Sequence, residues 1–189
     1  MLEKLPSPQQ LPFMHTIHVN SNIYVSPLNE GDVEQLAERI NFKPIADNTL
    51  SIPFPYHISD AEMFIASCVA QNQSTGPRNY AIRHQVDGLI GGIGQHYKYG
   101  KESHKDEIGY WLTPDHWGKG LMTEVVGTFV NEIVKQRNLV RIEAPVYQGN
   151  LGSARVLERN GFECEGVQRK CYLKNDRYIN GLLYAKVLY

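Results

Sequence analysis

Trp117-Gly118-Lys119-Gly120-Leu121-Met122-Thr123 joins a strand-like stretch, Ile108 to Leu112, to a long amphipathic run, Leu121 to Arg137. A strand that passes through glycines into a helix gathers several unpaired amide groups at one point. Gly118 and Gly120 carry no side chain that would hold a ligand away from that backbone. The first turn of a helix also offers orphan N–H donors and a positive partial charge, which suit a phosphate or pyrophosphate. Acidic residues usually collect at a helix start, yet none occurs from Gly118 to Thr123, and Glu124 is the first. Two readings fit the segment alone: a tight loop with a useful glycine, or a helix end that a bound anion caps.

Outward from this turn, Tyr80 to Arg83, Leu89 to Tyr97 and Lys105 to Leu112 read as consecutive strands, with turns at Val86-Asp87-Gly88 and near Gly100. Downstream, Leu121, Met122, Val125, Val126, Phe129, Val130, Ile133 and Val134 form a helical stripe that packs on a sheet. Arg141 to Val146 is a further strand. Asn150 and Ser153 open a short helix that Asn160-Gly161 ends, and Phe162 to Leu173 and Tyr178 to Leu188 close the chain as two strands turned at Asn175-Asp176. Upstream, Ile17 to Val19 and Ile23 to Val25 suggest a strand or a hairpin. Asp32 opens a helix carrying Val33, Leu36, Ala37 and Ile40, and a loop holds Pro44, Pro53 and Pro55. A second helix is expected from Ser59, capped by Ser59 with Glu62, to about Asn72. Residues 1–14 read as an irregular lead-in, and residues 15–189 as one domain without repeats.

The composition excludes several classes. At 189 residues the chain suits a single core without staples, and 42% hydrophobic with 21% charged residues is ordinary for a globular protein. A formal charge of -1 gives no electrostatic case for nucleic acid. No apolar run reaches membrane-spanning length and no signal-peptide pattern opens the chain, so a cytoplasmic protein with no membrane partner is expected. Cys68, Cys164 and Cys171 have no metal-type spacing, and an odd number argues against a disulfide framework. His15 and His18 lack acidic or Cys companions, so no metal site is expected. Gly91-Gly92-Ile93-Gly94 does not open a helix, as a dinucleotide fingerprint must, and marks instead a bulge or close approach in a strand.

The second stretch with chemistry in it is Asn150-Leu151-Gly152-Ser153, where a helix follows a strand at once. Asn and Ser there are either ordinary helix starters or ligand contacts. Together with Glu107-Ile108-Gly109-Tyr110-Trp111-Leu112-Thr113-Pro114, the Trp117–Gly120 turn, Thr123-Glu124, Gly161-Phe162 and Glu165-Gly166 followed by Arg169, it stands in the order and spacing of a known family. The chain resembles a GNAT-type N-acetyltransferase of the branch containing the ribosomal-protein N-terminal (Rim-type) acetyltransferases. Ile52-Pro53-Phe54-Pro55-Tyr56 and Asp60-Ala61-Glu62 resemble that branch's substrate-side loop and second helix.

The resemblance implies an α/β (α+β) GNAT fold: a mixed, mostly antiparallel sheet, helices on both faces, and a splay between its fourth and fifth strands. Acetyl-CoA would lie in the splay as co-substrate, with no metal. Backbone groups of Trp111, Leu112 and Thr113 would pair with the pantetheine. Trp117, Gly118, Lys119, Gly120, Leu121, Met122 and Thr123 would hold the pyrophosphate, and Asn150 and Ser153 would complete the cofactor side. Phe54, Tyr56 and Tyr97 would line the acceptor side. Two positions depart from the family pattern: Met122 is bulkier than its usual Gly or Ala, and Asn180 stands where an Asp is frequent.

An amine must be neutral to attack a thioester, so direct attack in a ternary complex needs a proton acceptor. Glu107 is the candidate base; the alternative is a solvent-facing carboxylate beside Lys105. Ser153 resembles the residue that protonates the leaving thiolate, and a backbone N–H near Leu112 or Thr113 would stabilise the thioester oxygen. Cys164 and Cys171 are read as structural, on the burial tendency of cysteine. The function expected is acetyl transfer to a primary amine, a protein N-terminus or a small molecule, by a monomer or homodimer. A non-catalytic acyl-CoA-binding module, or transfer of a longer acyl group, is the alternative.

Overall fold

The computed structural model describes residues 16–100 and 102–188, so the expected lead-in and His15 lie outside the described residues. Eight strands form one mixed sheet: β1 (Ile17–His18), β2 (Ile23–Pro27), β3 (Asn79–His84), β4 (Gly88–Gln95), β5 (Lys105–Leu112), β6 (Arg141–Tyr147), β7 (Glu163–Lys174) and β8 (Arg177–Val187), in the order β1-β2-β3-β4-β5-β6-β8-β7. The helices are α1 (Val33–Ile40), α2 (Lys43–Asp47), α3 (Ile58–Ser74), α4 (Leu121–Arg137) and α5 (Leu151–Arg159). One face of the sheet buries α4 and α5 around Phe129, Ile133, Ile142 and Leu157. The other buries α1, α2 and α3 around Leu36, Ile45, Ile65 and Leu89. Helices on both faces of a mostly antiparallel sheet are what the resemblance implied. Counting the two-residue β1, the diverging strands are β5 and β6.

α4 forms because Val125, Val126, Phe129, Val130 and Ile133 recur at helical spacing and are all buried, each such side chain being worth about 1.5–3 kcal/mol. It stops at Asn138, whose left-handed φ of 50° an asparagine tolerates. Several expected boundaries move. α3 starts at Ile58, not Ser59, because His57 takes the cap position and its N–H donates to the Asp60 carboxylate at 2.8 Å; Glu62 is not the capping partner. Pro44 sits in the first turn of α2, where a missing N–H costs nothing, so part of the expected loop is helical. Asp32 closes a 3-10 turn capped by Asn29 and binds Arg83 through both carboxylate oxygens at 2.7 and 2.8 Å. β4 ends at Gln95, short of Tyr97, whose φ of 47° breaks the strand.

β5 and β6 are parallel neighbours, but they pair only from Lys105↔Arg141 through Asp106↔Ile142 to Glu107↔Glu143. The reason can be read from the ladder. On β6, Gln148 N–H donates to the Asn180 carbonyl at 2.9 Å and Leu188 N–H to that of Val140 at 2.8 Å. Alternation therefore turns the backbone of Glu143, Pro145 and Tyr147 away from β8 and towards β5. Pro145 has no N–H, so the next rung, to the Ile108 carbonyl, cannot form. Beyond it the strands part.

Below the gap the two strands are tied together. The buried Glu143 carboxylate accepts from Tyr99 Oη at 2.5 Å, Arg141 Nε at 2.7 Å and Lys105 Nζ at 3.3 Å. Burial alone would push this carboxyl up; those hydrogen bonds outweigh it and hold it at about 2, against an ordinary 4.5. A depressed carboxyl contributes its stabilisation in full above the unfolded value and loses it as pH falls through the folded one. Between pH 4.5 and 2 the wild-type protein should therefore lose more stability than Glu143→Gln. Urea midpoints at pH 6 and 3 test this, and equal losses in the two proteins would count against it.

Candidate active site

The parting of β5 and β6 opens a cleft of about 860 Å³ that crosses the sheet. Ile108 and Tyr110 of β5 and Ala144 and Val146 of β6 form its walls, Asn150 and Ser153 close one end, and the 48–53 loop, α3 and Tyr172 surround the other. The backbone of β5 is offered to it selectively. His96 N–H bonds to the Glu107 carbonyl and Thr113 N–H to that of Ile90, both at 2.9 Å, so Glu107, Gly109, Trp111 and Thr113 spend their main-chain groups on β4. Tyr110 and Leu112 turn theirs to the gap. The Leu112 carbonyl is taken by the Trp117 indole at 2.7 Å, which leaves the Leu112 N–H facing the opening. Thr113 is fully buried, so of the stretch from Trp111 to Thr113 the gap-facing donor is Leu112.

At the end of β5 a 3-10 turn, Pro114–His116, leads into the glycine turn. Gly118 and Gly120 have φ of 74° and 78°, the left-handed region that favours glycine, and a Cβ on either would meet nothing within 4 Å. Gly120 is the N-cap of α4 with no side-chain cap, and Glu124 is the only acid in the first turn. Thr123 and Glu124 donate their N–H to the Gly120 carbonyl at 3.0 and 3.3 Å. Met122 is 8% exposed, so its bulk points into the core and away from the turn. Trp117, Lys119 and Gly120 are exposed.

α5 presents the second constellation. Asn150 caps it by accepting from Ser153 N–H at 3.1 Å. The Ser153 hydroxyl lies 2.7 Å from the Tyr110 phenol, which reaches it across the gap from β5. Burial pushes the Tyr110 phenol far above its ordinary 10.0, against a smaller lowering by its hydrogen bond to Ser153, so it keeps its proton at any working pH. Tyr110 had no role in the sequence analysis. Strand alternation puts it on the core face with Ile108 and Leu112, and a phenol there needs a partner, which was the available signal.

Glu107 lines the same cleft on the α1–α3 side of the sheet. Its carboxylate is 15% exposed and pairs with Lys98 at 2.8 Å; Lys105 turns instead to Glu143. Of the expected acceptor-side aromatics, Tyr56 lines the cleft and burial pushes its phenol up to about 12. Phe54 is exposed outside the lining, and Tyr97 is held between the guanidinium groups of Arg78 and Arg137, 4.4 and 4.1 Å from its ring centre. Cys164 and Cys171 are exposed and Cys68 is buried, so burial does not explain the first two. Asn180 is spent between the hairpin and the turn after β6, accepting from Lys170 N–H and donating to Gln148, both at 2.8 Å. Gly92 lies against the Trp111 ring, where a Cβ would come within 2.5 Å of the indole nitrogen, the close approach expected of that glycine run. Among the described residues no group of three metal-ligating side chains occurs.

With this geometry in view, the comparisons with known proteins are direct. The family model described as acetyltransferase (GNAT) domain matches residues 22–163. The chain belongs to the GNAT acetyltransferases. It is 52% identical over 63 residues, 33% of this chain and 35% of the relative, to the probable N-acetyltransferase YjcK of Bacillus subtilis. It is 27% identical over 184 residues, 93% of this chain and 94% of the relative, to the putative ribosomal N-acetyltransferase YdaF of the same organism. The matches to the first four relatives span 35%, 59%, 46% and 56% of their lengths. The fold is that of the self-immunity acetyltransferase MccE, solved with acetyl-CoA and AMP, at a TM-score of 0.80 and 24% identity over 90% of this chain and 94% of that one.

The cap on α5 carries its own expected outcome. Asn150→Ala leaves the Ser153 N–H without its acceptor and should lower stability by about 1 kcal/mol. Asn150→Ser, which keeps an oxygen, should recover most of it. Urea denaturation of both variants measures this, and an unchanged midpoint in Asn150→Ala would refute the cap.

Proposed function

We propose that the protein transfers the acetyl group of acetyl-CoA to a primary amine, a protein N-terminus or a small-molecule amine, by direct attack within a ternary complex. The observation that carries the reading is the gap between β5 and β6, which begins at the last rung, Glu107↔Glu143, and runs along the strand that ends in the uncapped glycine turn. A pantetheine laid along β5 would bond to the Tyr110 and Leu112 backbone as an added strand would. Its diphosphate would then reach Gly118, Lys119, Gly120, Leu121 and Met122, where unshielded amides and the start of α4 favour an anion. Trp117, Thr123 and Asn150 frame that path. The MccE neighbour, whose fold this chain shares, was solved with acetyl-CoA, and relatives named as N-acetyltransferases give the reading further support.

The chemistry assigns each group a task. The acceptor ammonium gives up a proton to the Glu107 carboxylate, directly or through water, and the neutral nitrogen attacks the thioester carbon. Negative charge building on the thioester oxygen would meet whichever gap-facing N–H of β5, that of Tyr110 or of Leu112, the pantetheine leaves free. The C–S bond breaks, the sulfur takes the proton of the Ser153 hydroxyl, and the serine oxygen regains one through water from the second proton that the nitrogen sheds as the amide forms. The Tyr110 phenol, protonated at all working pH values, lies 2.7 Å from Ser153 Oγ, and turned to donate there it would leave the serine proton free for the sulfur. Tyr110 is thus a positioning residue.

Two measurements test the proposal. Glu107→Gln should lower kcat by about 100-fold, as expected for loss of a general base, while the Kd for acetyl-CoA changes less than about threefold. Thiol release against a panel of peptides and amines reads kcat, and an unchanged kcat would remove Glu107 from the mechanism. Gly120→Val should abolish acetyl-CoA binding by calorimetry while far-ultraviolet circular dichroism remains that of the wild type; retained affinity would remove the glycine turn from the site. Binding without release from any acceptor would favour a non-catalytic acyl-CoA module. Faster turnover of a longer thioester would favour another acyl group.

A further inference from the structure

The acceptor half of the cleft has a one-sided electrostatic character. Among its described lining residues the charged side chains are Asp60 and Glu107, and none is Lys or Arg. Lys98 pairs with the Glu107 carboxylate at 2.8 Å, and Lys174 donates to the Ala46 and Thr49 carbonyls. Among the described residues Asp60 has no cation paired with it, and its carboxylate accepts the His57 N–H at 2.8 Å. Around the mouth, Leu50, Met63 and Phe64 line the cleft yet are 54%, 67% and 39% exposed. Exposed apolar side chains clustered at the rim of a polar-floored cleft mark a contact surface more than chance exposure.

Resting on the transfer reading above, we infer that this cleft selects acceptors whose group next to the reactive amine is apolar and uncharged, and that it rejects those carrying a carboxylate or phosphate there. A positively charged amine approaches Glu107 and Asp60 with favourable field. A second, anionic group brought into the same partly desolvated cleft meets the Asp60 carboxylate and a Glu107 carboxylate already joined to Lys98, with no Lys or Arg among the described lining residues to receive it. The apolar rim gives the neighbouring group hydrophobic area to cover instead. Selectivity here arises as much from repulsion of the wrong acceptor as from attraction of the right one.

The test uses alanyl dipeptide amides, Ala-Leu-amide, Ala-Lys-amide and Ala-Asp-amide, whose reactive amines have the same chemistry and differ only in the next side chain. The wild-type protein with acetyl-CoA should show kcat/KM for Ala-Leu-amide at least about tenfold above that for Ala-Asp-amide, with Ala-Lys-amide between them. Added salt should shrink the ratio, because the repulsion is screened. Two variants should narrow it about threefold or more: Asp60→Asn, which keeps an oxygen for the His57 N–H, and Met63→Lys, which places a cation on an exposed rim position without touching the core. Equal kcat/KM for the leucyl and aspartyl amides, or a ratio that neither variant moves, overturns the inference. If none of the three is acetylated, the transfer reading fails on these acceptors, and selectivity is read from calorimetric binding of the same amides to the CoA-loaded protein. A preference for the leucyl amide there upholds the inference, and equal affinities overturn it.

Discussion

The parting of β5 from β6 is the constraint on which the rest of the molecule depends. Adjacent parallel strands normally zip along their full length, since every unpaired backbone group left in the interior costs free energy. Here three pairs hold and the fourth cannot, because Pro145 offers no N–H where the ladder needs one. Glu143 sits at the last closed rung and binds side chains from both strands and from the preceding loop, so the sheet is stapled where the opening starts. The buried Asp106–Arg137 ion pair fastens the same end of β5 to the end of α4. A stapled end with unpaired strand edges beyond it is a preformed slot.

Two helix starts follow the diverging strands, α4 after β5 and α5 after β6, and each solves its orphan amides differently. α5 caps itself with the Asn150 side chain, which also fixes Ser153 under the Tyr110 phenol. α4 has no side-chain cap and begins on two left-handed glycines, so its donors stay open to solvent or to an anion. The contrast separates a site for a defined hydroxyl from a site for a diffuse negative charge. The carboxylates lie on the other face of the sheet, where Glu107 and Asp60 look into the acceptor half. In the proposed reading, the backbone donors of the glycine turn would take an anionic carrier and the acidic side chains of the cleft a cationic amine.

Much of this was legible in the sequence, for physical reasons. The apolar stripe of α4, the glycine turn before it and the Asn150–Ser153 start each rest on local periodicity or capping, which a linear reading captures. The resemblance then supplied the mixed sheet, the helices on both faces and the splay. The readings that moved depended on competition between neighbours. Ser59 and Glu62 have the spacing of a capping box, but His57 with Asp60 takes the helix start two residues earlier. Tyr97 carries an aromatic ring that two arginines claim, so it leaves the strand and the cleft. Tyr110 was missed because its partner is 43 residues away, a distance no local pattern spans. Pro145 was visible throughout; its meaning needed the knowledge of which edge of β6 faces β5.

The most direct measurement is hydrogen–deuterium exchange of the main-chain amides with and without saturating acetyl-CoA. The account predicts added protection at Tyr110 and Leu112 and across residues 118–122, with β2 and β3 unchanged. Saturated protein in which those amides exchange as fast as before, or protection confined to another surface, would contradict it.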